Sequence, residues 1–237
     1  MKILSFLILL FTSSIIFAGS ITVIGDVNAD ANEGGDNSQF YTNILGDSSS
    51  VLFSRGNTAP AINGAYSLYN GKSGVSVTSS NTTITNSILN KNDMLIMNQS
   101  TFNENLVYTQ AELTAISSFI SGGGDLLFVA ESNSTTVYNN LNAFLTGIGS
   151  TIQYTGQRIV QSINTTNISS HLLTTNVTTY KTNCYNILSG GTTIIQDSSN
   201  RNIVMTEVIG NNSNVPEPAS IVMLVLGLLG LFLRYFK

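Results

Sequence analysis

The stretch Thr109–Ser132, TQAELTAISSFISGGGDLLFVAES, contains the clearest helix and strand in the sequence. Thr109 is a predicted N-cap, and Glu112 is the residue three positions later that completes a capping box. The apolar positions recur at helical spacing on one face: Leu113, Ile116, Phe119 and Ile120. Three glycines then end the helix, and DLLFVA follows as an apolar strand. Because NDMLIMNQ (92–99) is another apolar strand, the pattern predicts a parallel βαβ unit.

The flanking sequence repeats this alternation of strands and helices. The predicted strands are ITVIG (21–25), SVLFSR (50–55), GVSVTSS (74–80) and STIQYTG (150–156). The predicted helices are SQFYTNILG (38–46), AINGAYSLYNG (61–71) and TTVYNNLNAFLTGIG (135–149). Residues 184–210 alternate apolar and polar positions around Gly-Gly and Ser-Asn turns, which favours antiparallel strands that finish the sheet. The sequence therefore predicts an α/β domain over residues 21–210, a flavodoxin-like sandwich with a mostly parallel sheet.

The composition limits the partners of this domain. Of 237 residues, 9% are charged, and the formal net charge is −4. Since no basic stretch could neutralise a run of phosphates, nucleic acid is not an expected partner. Ser, Thr and Asn must supply the polar surface, as in SSNTTITNSILN (79–90). A neutral polar surface of this kind is common on secreted proteins.

Both ends of the chain are apolar. Residues 1–20 combine Lys2, an apolar run and small residues, which predicts a secretory signal peptide with Ala18 or Ser20 just before the cut. A short N-terminal membrane helix is the alternative. Residues 219–237 predict a transmembrane helix and a basic tail; the uncharged part, Ala219–Leu233, is short for a span of roughly 30 Å. The positive residues that follow it place everything before Ala219 outside the membrane.

A proline motif precedes the C-terminal apolar segment, within a predicted linker at residues 211–218. The motif and the basic residue after the apolar segment are Val215, Pro216, Glu217, Pro218 and Arg234. The two prolines exclude a helix and hold the backbone extended. This order of elements resembles the PEP-CTERM sorting signal. The resemblance implies that an exosortase, a membrane-embedded enzyme, cuts near the motif, so that the protein is anchored only transiently in the inner membrane before it reaches the envelope or extracellular matrix of a Gram-negative bacterium.

The domain itself has a second resemblance. DNSQFYTNILG (36–46) and YTQAELTAISSFISGGGDLLFVAESN (108–133) resemble the class I glutamine-amidotransferase-like domain of secreted bacterial proteins. Active members of that superfamily carry a nucleophilic Cys on a tight turn after a central strand. Here that turn reads Glu131-Ser132-Asn133, and Cys184, expected to be a small buried residue, lies far along the chain. The only histidine, His171, has no acidic residue near it in sequence, so the resemblance implies the fold without the chemistry.

Two polar loops are the candidate ligand site, because ligands of open α/β sheets bind at the carboxyl ends of the strands. The loops are GDVNADANEGGDN (25–37) and ESNSTT (131–136), and their candidate residues are Asp26, Asn28, Asp30, Glu131 and Asn133. The D-x-N-x-D spacing could present oxygens to Ca²⁺, but Ala31 stands where an EF-type loop needs glycine and Asn37 where it needs glutamate. We therefore expect a solvated, flexible loop with no metal and no cofactor.

The function expected from these features is non-enzymatic: a secreted envelope or matrix protein, sorted by an exosortase, with exopolysaccharide as a candidate ligand. Serine-hydrolase motifs are incomplete, since Val27 replaces the serine of a Gly-Asp-Ser motif and Ile168 stands three before His171. The alternative is a secreted glycan hydrolase with a carboxylate pair drawn from Asp26, Asp30 and Glu131. A membrane-tethered protein that is never processed also stays open.

Overall fold

The computed structural model describes residues 18–54, 63–99 and 107–210. Its strands are β1 (Gly19–Ile24), β2 (Ser50–Ser54), β3 (Ser76–Ser80), β4 (Met94–Gln99), β5 (Asp125–Ala130), β6 (Gln153–Thr165), β7 (Tyr180–Ser189), β8 (Thr192–Gln196) and β9 (Asn202–Ile209). Its helices are α1 (Asn37–Leu45), α2 (Asn63–Asn70), α3 (Asn86–Leu89), α4 (Gln110–Ser121) and α5 (Thr135–Gly147), with a 3₁₀ turn at Leu172–Thr174. The mixed α/β class is as predicted.

Within the described residues, the main sheet has seven strands in the order β3-β2-β4-β5-β1-β9-β8. Strands β1 to β5 run parallel to one another, while β9 pairs antiparallel with β1 and β8 pairs antiparallel with β9. A flavodoxin-like sheet has the order 2-1-3-4-5. The parallel strands reproduce that order if β2 is counted as the first strand, and the strand that begins this fold, β1, then occupies the fifth place.

Two hydrophobic cores lie on the two faces of the sheet. Successive residues of β4 and β5 point to opposite faces and so contribute to both cores. Leu95 and Phe128 lie in the core covered by α4 and α5, and Ile96 and Leu127 lie in the core covered by α1 and α2. Since both faces are covered, the central strands are continuous apolar runs. The domain is a three-layer sandwich.

Helix α4 confirms the local prediction made from its sequence. Thr109 is the N-cap and accepts a bond from the Glu112 amide, while the Glu112 carboxylate accepts one from the Thr109 amide at 2.9 Å. Ile116 and Ile120 are fully buried in the core. β4 and β5, on either side of α4 in the chain, pair in parallel register from Met94 with Asp125 onward.

The β6–β7 hairpin departs from the prediction. The strand STIQYTG was expected to end at residue 156, but β6 continues to Thr165. Among the described strands it pairs with β7 alone, in a separate two-stranded sheet. Of the C-terminal strands, β8 and β9 alone complete the main sheet. The hairpin contributes side chains to both cores. Tyr154 belongs to the core covered by α4 and α5, and Tyr180 and Tyr185 belong to the core covered by α1 and α2.

The hairpin crosses the end of β1 at Gly25. The Asn186 backbone amide donates to the Gly25 carbonyl at 2.7 Å. A Cβ added at Gly25 would lie 2.3 Å from the backbone carbonyl oxygen of Asn186. Only glycine lets the two backbones approach this closely.

The predicted ends of the chain lie largely outside the described residues: the apolar part of the signal peptide, the linker at 211–218 and the membrane helix at 219–237. Within the part that the structure describes, no helix is long and apolar enough to cross a bilayer. Strand β1 begins at Gly19, two residues before the predicted domain boundary, and the Ser20 amide donates to Asp125 at 2.9 Å. A cut after Ala18 would leave β1 whole, whereas a cut after Ser20 would shorten it.

We predict that Gly25→Ala lowers the free energy of unfolding by about 2 kcal/mol or more, because the added methyl forces two backbones apart. Chemical denaturation monitored by circular dichroism measures the change. Gly210→Ala is the control, since a Cβ there meets nothing within 4 Å. Equal losses in the two variants would contradict the close crossing.

Candidate functional site

The candidate site lies where β1 and β5 end side by side. The loop from Gly25 follows β1, the loop from Glu131 follows β5, and the β6–β7 hairpin lies over both. This is the edge of the sheet at which ligands of α/β proteins usually bind. The loops after β2 and β4, residues 55–62 and 100–106, lie outside the described residues.

Asp26 is a fully buried carboxylate that joins β1 to the hairpin. One of its oxygens accepts a bond from the Asn28 amide at 2.6 Å. The other accepts bonds from the Thr182 hydroxyl and from the Asn183 amide, the latter at 2.9 Å. Because donors surround both oxygens, the carboxylate acts as an internal tie between segments more than 150 residues apart in the chain.

Glu131 is the second buried carboxyl group, with an exposed fraction of 1%. It forms an ion pair with Arg158 on β6, whose two nitrogens lie 2.7 Å and 2.5 Å from its Oε1. Its Oε2 accepts a bond from the Asn28 side chain at 3.3 Å. Asn28 joins the two carboxyl groups, because its backbone amide donates to Asp26 and its side chain donates to Glu131. We call Asp26, Asn28, Glu131, Arg158 and Thr182 the carboxylate cluster.

The electrostatics of this cluster raise the pKa of both carboxyl groups. Burial raises the pKa of Asp26, and the bonds from Thr182, Asn183 and Asn28 only partly offset it. Burial also raises the pKa of Glu131; Arg158 lowers it, and the neighbouring Asp26 carboxyl raises it again. Nearby like charges disfavour the ionised form of each group. Each group therefore keeps its proton to higher pH than an exposed carboxyl group would.

Asn186 on β7 fastens the hairpin to the loop after β5. Its side-chain oxygen accepts a bond from the Ser132 amide at 2.7 Å, and its nitrogen donates to the Ser132 carbonyl at 3.0 Å. The same nitrogen donates to the Tyr138 hydroxyl of α5 at 2.8 Å. Asn186 and Ser132 are fully buried, so this contact excludes water from the edge.

The structure separates the predicted site residues into two groups. Asp26, Asn28 and Glu131 meet in the carboxylate cluster, but Asp30 does not join them. Its carboxylate accepts bonds from the Gly64 and Ala65 amides at 2.6 Å and 2.8 Å, at the start of α2. Asn133 is exposed on the loop after β5.

The expectation of a solvated, flexible loop is wrong for the first part of the loop after β1. Val27, Ala29 and Ala31 are buried in the loop, and Ala29 and Ala31 belong to a hydrophobic core. Asp26 and Asp30 direct their oxygens at different backbone donors. Among the described residues, no group of three or more acidic, histidine or cysteine side chains could hold a metal ion.

Cys184 is half-buried rather than enclosed in the core, and it lies near the carboxylate cluster. Burial raises the pKa of its thiol; Arg158 lowers it, and the carboxylates of Glu131 and Asp26 raise it further. A thiol with a raised pKa stays protonated at neutral pH and is a poor nucleophile. His171 caps the 3₁₀ turn, where its Nδ1 accepts a bond from the Leu173 amide at 3.1 Å.

The sequence did not reveal the hairpin's contribution to the site. Arg158, Thr182 and Asn186 come from β6 and β7, and each bonds a residue far away in the chain. The one local signal is alternation on β7, where the buried positions Tyr180, Thr182 and Asn186 include polar residues. Buried polar side chains on a strand indicate a partner, but they do not identify it.

Residues 214–237 match the PEP-CTERM protein-sorting motif. The motif indicates a protein that an exosortase, a membrane enzyme, sorts to the cell envelope or exterior of a Gram-negative bacterium. No curated protein and no solved structure matches the chain. The resemblance of residues 21–210 to glutamine amidotransferases therefore stays a prediction.

We predict that Glu131→Gln makes the protein more stable relative to wild type as the pH rises. A raised folded-state pKa stabilises the fold below the unfolded-state pKa, near 4, and this contribution is lost as the pH rises through the folded-state value. Glutamine does not ionise, so the variant lacks this pH-dependent loss of stability. The difference in Tm between variant and wild type should increase from pH 5 to pH 8.

Glu33→Gln is the control for this titration, because Glu33 is half-exposed and lies outside the carboxylate cluster. Its Tm should follow wild type at every pH. Parallel Tm curves for Glu131→Gln and wild type would contradict a raised pKa of Glu131 in the folded protein.

Proposed function

We propose that this chain is an exosortase substrate, anchored only transiently in the membrane, whose folded domain acts without catalysis in the envelope or extracellular matrix by binding exopolysaccharide. The observation that carries the proposal is the sorting motif at residues 214–237. Removal of the segment after the motif would release the domain on the outer side of the inner membrane. The domain, rather than the tail, would then act at the destination.

The surface of the domain supports a hydrophilic, uncharged ligand. The solvent-exposed strands β3 (SVTSS) and β6 (QYTGQRIVQSINT) present mostly hydroxyl and amide side chains. Such groups both donate and accept hydrogen bonds, as sugar hydroxyls do. The low charge of the chain fits a neutral, hydroxyl-rich partner better than a nucleic acid or an acidic surface.

The carboxylate cluster supports a domain without hydrolase activity. Glycosidases keep their two carboxyl groups about 5–10 Å apart, so that a sugar and a water fit between them. Asp26 and Glu131 are enclosed instead, with exposed fractions of 0% and 1%. Their remaining acceptor positions are occupied by Thr182, Asn183 and Arg158. A polysaccharide could reach this pair only if the hairpin moved away.

The pair nevertheless keeps a glycan hydrolase as the second candidate function. Two carboxyl groups with raised pKa values at the carboxyl edge of a parallel sheet are the kind of groups that supply a general acid. This candidate differs from the first in one respect, the release of product.

We predict that the protein from an exosortase-positive host lacks the residues that follow the motif. Intact-mass spectrometry of the envelope fraction measures this. The double variant Pro216→Ala, Pro218→Ala should remain full-length in the inner membrane, because it loses the extended segment that the peptidase reads. Pro60→Ala, at the only other proline, should be processed as wild type. Residues 219–237 retained on the mature wild-type protein in that host would contradict transient anchoring.

We also predict that the protein binds exopolysaccharide purified from the producing cells without cleaving it. Pulldown measures binding, and a reducing-end assay over the same incubation measures cleavage. Retention without new reducing ends is expected. Reducing ends produced by wild type but not by Glu131→Gln would establish the hydrolase instead.

A further inference from the structure

A polar groove lies at the edge of the sheet opposite to the carboxylate cluster. Its volume is about 420 Å³, within the usual range of ligand sites. One wall is the connection from α1 to β2, which includes Asp47 and Ser48, and the other is the connection from α2 to β3, which includes Lys72 and Ser73. Both connections lead into the amino ends of adjacent strands.

The walls of the groove are fixed by hydrogen bonds. The Ser76 amide donates to the Ser49 carbonyl at 2.8 Å, which joins the two connections. Asp93, just before β4, accepts bonds from the Ser49 and Ser50 amides at 2.8 Å and 3.0 Å. Gly74, at the rim, has a φ of +81°, a conformation that glycine adopts without strain. The groove is therefore preformed.

Asp47 and Lys72 are charged residues that the fold itself does not use. Most acidic side chains of the described chain accept bonds from backbone amides, as Asp26, Asp30 and Asp93 do. Within residues 18–54, 63–99 and 107–210, the side chains of Asp47 and Lys72 form neither a hydrogen bond nor an ion pair. Both line the groove, and Lys72 is only half-exposed. They are available to a ligand.

The chemistry of the lining narrows the class of that ligand. One carboxylate is too few for a Ca²⁺ site, which takes six to eight oxygens. The same carboxylate repels a phosphate, and the described residues that line the groove include no aromatic side chain for a nucleobase to stack on. The side chains of Asp47, Lys72, Ser48 and Ser73 offer acceptors and donors side by side, which suits a ligand with a hydroxyl group on each carbon.

We propose that this groove is a glycan-binding subsite, in which Asp47 accepts bonds from sugar hydroxyls and Lys72 donates to them. The assignment rests on the proposed binding of exopolysaccharide and gives that function a location. It places the ligand at the amino edge of the sheet, since the hairpin closes the carboxyl edge at β1 and β5.

The test compares matched charge-removing variants of the full chain, purified in a detergent without a sugar headgroup. Exopolysaccharide from the producing cells is immobilised, and biolayer interferometry measures Kd. Asp47→Asn and Lys72→Gln should each weaken binding about tenfold, the loss expected for a hydrogen bond to a charged group. Glu33→Gln and Lys91→Gln remove the same charges outside the groove and should leave Kd unchanged. Equal Tm values confirm that all variants are folded.

The outcomes test the subsite separately from exopolysaccharide binding by the domain as a whole. Loss of binding confined to the two groove variants supports the subsite. Wild-type Kd in all four variants overturns the subsite, while exopolysaccharide binding by another surface of the domain stands. No detectable binding by wild type overturns both the subsite and the proposed ligand.

Discussion

The buried carboxylate of Asp26 has to find donors inside the protein, and this requirement fixes the β6–β7 hairpin over the sheet. An ionised or hydrogen-bonding group with no exposed surface is costly unless its oxygens are paired. Thr182 and Asn183 supply that pairing from β7, and Arg158 on β6 neutralises the neighbouring Glu131. Once these contacts form, the carboxyl ends of β1 and β5 are covered. The part of an α/β sheet that commonly holds a substrate is occupied by the protein's own chain.

Hydrogen bonds from backbone amides to carboxylates recur across the domain, so its few acidic residues join many segments of the chain. Carboxylates accept bonds from backbone amides of remote segments: Asp125 from Ser20, Asp93 from Ser49, Asp36 from Thr178 and Glu207 from Thr151. Such bonds are charge-assisted and stronger than bonds between neutral groups. Those from the Thr178 hydroxyl and the Thr178 and Thr179 amides hold the pKa of Asp36 below its ordinary value. Acidic residues therefore serve here mainly as ties between loops, whereas Asp47, whose side chain makes no such bond within the described residues, lines the polar groove.

The sequence predicted what depends on local pattern and missed what depends on distant contacts. The capping box at Thr109 and the buried strands β4 and β5 are encoded within a few residues, and the structure confirms them. The D-x-N-x-D spacing grouped Asp30 with Asp26 and Asn28 in one candidate site. In the structure Asp30 bonds the start of α2 instead, and the intervening apolar residues are buried. The role of the hairpin could not be predicted, since Arg158 lies 27 residues from Glu131 and Thr182 lies 156 residues from Asp26. Spacing reports which side chains share a face, but not which loop another part of the chain will cover.

The hairpin closes the carboxyl edge at β1 and β5 as a permanent part of the fold. Native-state hydrogen exchange of the Ser132, Asn183 and Asn186 backbone amides tests this closure most directly, because these amides donate to Asn186, Asp26 and Gly25 respectively. We expect all three to exchange only through global unfolding, with the same opening free energy as the amides of β4 and β5. Exchange of the three through a local opening of much lower free energy would show that the hairpin is a mobile cover over an accessible site.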